Sequence, residues 1–194
     1  MNIFILDETP KLAAEYHCDK HVVKMILESA QMKSTAHWLH LLWKNGKDLK
    51  DFKRVREAKV WLLENTDSSL HPPYAMTHAR HPCTLWVSST LQNYNWHYEL
   101  LFYLCKEYTK RYNKIHKTAS YLSWFKNNVP QGIKRTGFER FAICMNDDYK
   151  VGLDPVASYR NYYIKDKSRF AKWKYTQEPS WYNGALNNVL QNQQ

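Results

Sequence analysis

Only five glycines and seven prolines occur among 194 residues, too few for a low-complexity linker or a glycine-rich repeat. There is no glycine-rich phosphate loop, no nucleophile elbow, no Ser-His-Asp order and no Cys-x-x-Cys pair. Those absences remove the usual signatures of phosphate-cradling loops, serine hydrolases and paired-cysteine zinc sites. No run approaches the roughly 18 apolar residues of a membrane span, and no leader with a small-residue cleavage site is visible. The expectation is a soluble, cytoplasmic protein with no membrane partner. The four cysteines (Cys18, Cys83, Cys105, Cys144) stand far apart in apolar or helical surroundings. Reduced, mostly buried thiols are therefore expected rather than disulfides.

What is abundant is positive charge and aromatic surface. Lysine and arginine number 28 against 18 acids, a formal charge of +10, and the chain carries eight tryptophans and fourteen tyrosines. Cations with interleaved rings suit a polyanion whose bases can stack; the alternative is a basic protein whose rings fill its core. A 44% hydrophobic content supports one domain over 1–194, with an Asn/Gln-rich end at 183–194 expected to fray.

The local pattern is helical. Met1 to Asp7 reads as a short strand or a tail packed on the core. Thr9-Pro10 opens a short helix to about His17. Asp19 caps a helix from Lys20 to about Trp43, stopped by Asn45-Gly46. A basic helix covers about 49–64, and 65–82 is a loop. Pro82 starts the longest helix, to about Tyr112, and a shorter one covers 118–127. Residues 129–153 are irregular, and Asp154-Pro155 launches a helix over 156–164. The fold class is all-α, a single compact helical domain.

The second helix organises the chemistry. At about 100° per residue, His21, Lys24, Glu28, Gln31 and Thr35 fall within about 40° of one line, and apolar side chains cover most of the rest. Such a helix is central, with its polar line facing a cleft, or it is a core helix with a surface Lys24–Glu28 pair. On the cleft reading, Glu28 (or Asp19) supplies an acid or base, and Lys24 a cation or amine nucleophile beside His21. Gln31, His78, His81, Trp86 and Asn93 line the pocket. Between 154 and 175 six basic residues face two acids among aromatic rings. Arg160, Lys165, Lys167, Arg169, Lys172, Trp173 and Lys174 are the candidate DNA-binding residues there. His17/His21 and His78/His81/Cys83 suggest zinc by residue type alone, but nine histidines pair freely by chance. No metal and no cofactor is expected.

Three blocks carry a family resemblance. Asp19-Lys20-His21 with Lys24, Glu28 and Gln31 is the first. His81-Pro82 with Trp86, leading into Cys105-Lys106-Glu107-Tyr108, is the second. Pro179-Ser180-Trp181-Tyr182 is the third. Together they resemble the pyrimidine-dimer DNA glycosylases of the endonuclease V type found in phages and bacteria. The resemblance implies a helical protein that binds duplex DNA, flips a nucleotide and excises a damaged or modified base, with or without AP-lyase activity. It adds Trp181 to the substrate-binding candidates. It requires no oligomer, and implies the host cytoplasm if the chain is phage-encoded. The chain departs from that family at its start, Met1-Asn2, where members use an N-terminal amine, and in an insertion-like segment around 44–75. The alternatives are a non-catalytic DNA-binding protein and a base-modifying enzyme on the same scaffold.

Overall fold

A proline at the first helical position needs no amide partner and arrives with φ already set. Three helices of this chain begin that way, at Pro10, Pro82 and Pro155. The computed structural model describes residues 2–183, and it is all-α. Seven helices have complete bounds among the described residues: α1 Pro10–Tyr16, α2 Asp19–Lys44, α3 Val55–Asn65, α4 Pro82–Ser89, α5 Leu91–Tyr112, α6 Leu122–Asn127 and α7 Pro155–Lys165. No described helix is long and apolar enough to cross a membrane. Most of the expected 183–194 tail lies outside the described residues, as does Met1.

Among the described residues the N-terminal segment has no ladder partner, so it packs as a tail and not as a strand. Ile3, Phe4, Ile5 and Leu6 are all buried in the main apolar core with the first half of α2, α5 and α7. A second apolar cluster joins the far half of α2 to α3 through Trp38, Leu42, Ala58 and Leu62. Residues 44–75 thus cover the end of the central helix.

The long helix expected from Pro82 breaks in two. Thr90 adopts extended angles (φ −137°, ψ 157°) and its Oγ1 caps the amide of Asn93. The cause is tertiary: the Leu91 amide donates to the Lys134 carbonyl at 2.8 Å, which strings the irregular 128–154 segment across the α4–α5 junction. Asn93 and Trp86 serve that strap. Asn93 accepts from the Glu139 amide (3.0 Å) and donates to the Trp86 carbonyl, and Trp86 Nε1 donates to the Glu139 carbonyl. Asn93 is wholly buried and Trp86 nearly so. Neither lines the cleft at the N-terminal end of α2, contrary to expectation; both side chains instead bond the backbone of the strap at Glu139.

Asp19 is also a structural residue. Its Oδ1 pairs with Arg111 at 3.1 Å and its Oδ2 accepts from the Lys174 amide at 2.7 Å. Arg111, buried in α5, further binds Glu107 and the carbonyls of Glu15 and His17. The Asp19 amide donates to the Lys172 carbonyl. These contacts fix the chain after α7 beside the N-terminus of α2, which sets up the site.

Candidate functional site

The first half of α2 keeps its polar line open, and the second half does not. From Met32 to Leu42 every residue is buried; Thr35, for example, exchanges hydrogen bonds with the backbone of Thr77. Lys33 lies under Tyr94, its Nζ donating to the Tyr94 carbonyl at 3.0 Å, and burial pushes its pKa well down. At the N-terminal end a cleft of about 410 Å³ remains. Its floor is Lys20, His21, Lys24, Met25 and Glu28 of α2. Asn2 and Phe4 close one side; Tyr162, Lys167, Arg169 and Phe170 close the other.

Its rim is cationic. Lys20, Lys24, Lys167 and Arg169 share the cleft wall with one carboxylate, Glu28, whose side chain is only 14% exposed and meets Lys24 at 3.1 Å, while Lys167 pairs with Asp166 at 2.6 Å. Rings hold the cations in place: Lys20 Nζ lies 4.7 Å from the Phe170 centroid, and Lys167 Nζ 4.2 Å from that of Tyr162. Burial lowers the Lys167 pKa, but the Asp166 carboxylate and the Tyr162 hydroxyl outweigh it and raise it overall. Lys167 is therefore a fixed positive charge.

His21 is present in the cleft. Its ring stacks on Phe4 at 4.4 Å and its Nδ1 hydrogen-bonds the Tyr163 hydroxyl. Burial first, then the charges of His17, Lys167, Lys24 and Lys20, lower its pKa to about 2. A neutral ring at physiological pH stacks and hydrogen-bonds as part of the cleft floor.

The remaining candidates sit elsewhere. Gln31, one turn beyond Glu28, is half-buried outside the cleft wall. His78 is exposed with its Nδ1 on the Thr77 hydroxyl. His81 stands close enough to Glu28 that, while burial lowers its pKa, the carboxylate works to raise it. Arg160 is committed to the Leu6 carbonyl and Asp7, under the Trp181 ring. Trp181 packs on Tyr16 and Tyr163, and Trp173 is buried with its Nε1 on the Tyr16 carbonyl. Trp173 is a core residue, while Arg160 (side chain 29% exposed) and Trp181 are half-buried and engaged by these packing and ion-pair partners. Lys165, Lys172 and Lys174 are exposed and extend the positive surface beyond the cleft. Asn2 and Phe4 carry no local signal in the sequence, and Tyr162 and Phe170 are visible there only as rings of the basic 154–175 stretch; the packing of the N-terminal segment and of the stretch from α7 to Phe170 beside α2 brings all four together.

A larger groove, about 840 Å³, runs beside α5 between Lys11, Phe102, Lys106 and Leu122. Lys11 is paired with Glu15 there and Lys110 with Glu107, and its walls are mainly apolar. Its shielded carboxylate, Glu107, is already held by the buried Arg111 at 2.9 Å as well as by Lys110, so the smaller cleft, where Glu28 shares the wall with four cations, is the better candidate. No family model matches the chain, and no curated protein or solved structure matches it.

Proposed function

We propose that the cleft receives a nucleotide drawn out of duplex DNA and that Glu28 assists cleavage of its glycosidic bond. The observation that carries the reading is a single shielded carboxylate, Glu28, in a cleft also lined by Lys20, Lys24, Lys167 and Arg169. Phosphates neutralise the cations, and Phe4, Tyr162 and Phe170 offer faces for a base. A carboxylate in such a position accepts a proton from an attacking water or stabilises a cationic sugar-like transition state. Lys24 holds the carboxylate and meets the phosphate. The proposed activity requires no oligomer and a cytoplasmic location.

The test is release of free base from a panel of duplexes carrying single damaged or modified bases, read by mass spectrometry, with borohydride present in a parallel set. Base release without trapping identifies water as the nucleophile, and a trapped adduct identifies an amine. Absence of release from every duplex, despite salt-sensitive binding, would leave a DNA-binding protein without this chemistry.

A further inference from the structure

Beneath Asn2, at the edge of the cleft, three soft or borderline donors converge. His81 is the N-cap of α4, Cys83 lies in its first turn, and Cys144 comes from the irregular strap. Their ligand atoms all lie within 4.8 Å of one another, and the two sulfurs are 3.5 Å apart. We propose that His81, Cys83 and Cys144 bind a zinc ion, leaving its fourth position to water.

The spacing supports this. Two bonds of about 2.3 Å at a tetrahedral angle set sulfurs about 3.8 Å apart, close to the separation already present. The backbone is held there by other contacts. Asn2 Nδ2 donates to the Cys144 carbonyl at 2.7 Å, and the Cys144 amide donates to the Tyr159 hydroxyl at 3.2 Å. Cys83 Sγ donates to Asn2 Oδ1 at 3.3 Å. The sulfur separation is thus close to what a zinc ion requires, on a backbone that other contacts fix. On binding, both thiols lose their protons to solvent, and His81 exchanges its long contact with the Cys83 amide (3.2 Å) for the metal.

Cysteine, cysteine and histidine with one open position is a ligand set that zinc takes in catalytic sites. Asn2 lines the cleft and also touches Cys83, so the ion would lie one side chain from any bound nucleotide and near Glu28. A zinc-bound water there would serve hydrolytic chemistry on the base or the sugar. The metal site itself does not depend on the glycosylase reading, because its test reads metal and not turnover.

The experiment is elemental analysis of full-length protein purified under reducing conditions without chelator, followed by cobalt titration of the stripped protein. One zinc per chain is expected, with a thiolate-to-cobalt charge-transfer band and the visible bands of tetrahedral cobalt. Cys83→Ser and Cys144→Ser should abolish the charge-transfer band, and His81→Ala should weaken cobalt binding by about tenfold or more. Cys18→Ser and Cys105→Ser, which change the other two free thiols, should leave it intact. Failure of the wild type to bind either metal would overturn the proposal, and so would cobalt bound without thiolate bands. A Cys83–Cys144 disulfide persisting in reductant would overturn it equally.

Discussion

Glu28→Gln is expected to slow base release by about 10²–10⁴-fold, the usual contribution of a positioned acid or base, with duplex affinity unchanged or slightly improved. The two effects separate for a physical reason. Glutamine keeps the shape and a hydrogen-bond acceptor but removes the charge that a proton or a sugar-like cation would meet. It also removes the single carboxylate of the cleft wall, whose negative charge opposes phosphate. At 14% exposure that charge is shielded from water, so it acts over a lower effective dielectric than a surface glutamate. Glu15→Gln, on the far groove, is the control and should leave the rate unchanged. Single-turnover base release, on a duplex that the wild type processes, measures both variants. A full rate in Glu28→Gln would remove the carboxylate from the chemistry.

The second large effect is acid lability. Burial, as the leading cause in each case, lowers the pKa of His17 to about 4, of His37 to about 3 and of His21 to about 2. Unfolded histidine titrates near 6.5, so below that pH the unfolded chain binds protons that the folded chain refuses. Stability is therefore complete above about pH 6.5 and falls as the solution is acidified. The loss continues to about pH 4 for His17 and to lower pH for His37 and His21. At pH 5 each group costs about 2 kcal/mol relative to pH 8. Three of them cost about 6 kcal/mol, comparable with the whole stability of an ordinary domain. Urea unfolding at pH 8, 6.5 and 5 should show the midpoint collapsing over the last step. A flat profile would mean that these rings are charged in the folded protein.

The helices are legible in the sequence wherever the signal is local. Thr9-Pro10, the Asn45-Gly46 stop and Asp154-Pro155 mark element ends within a few residues, and the alternation on α2 shows that one line of it is polar. What is not legible depends on partners far along the chain. Thr90 reads as an ordinary helical residue until Lys134 pairs with its neighbour. Asp19, Asn93, Trp86 and Trp173 carry suggestive chemistry, but each is committed to a polar partner far along the chain. Residue type alone does not tell a ligand-binding amide from one that closes a backbone hydrogen bond. Lys24 and Glu28 follow from helical spacing because both lie on one element. Cys144 has no such link to Cys83, since 61 residues of irregular and helical chain separate them.

The central claim is that the α2 cleft engages the backbone of DNA. The direct measurement is fluorescence anisotropy of a labelled duplex across a salt series, for wild type, Lys167→Ala/Arg169→Ala and Lys106→Ala/Lys110→Ala. If the cleft holds the phosphates, the slope of log affinity against log salt falls by about 2 in the first variant, one unit for each phosphate that is no longer neutralised. In the second variant the slope is unchanged. An unchanged slope in Lys167→Ala/Arg169→Ala, or a loss confined to Lys106→Ala/Lys110→Ala on the far groove, would contradict it.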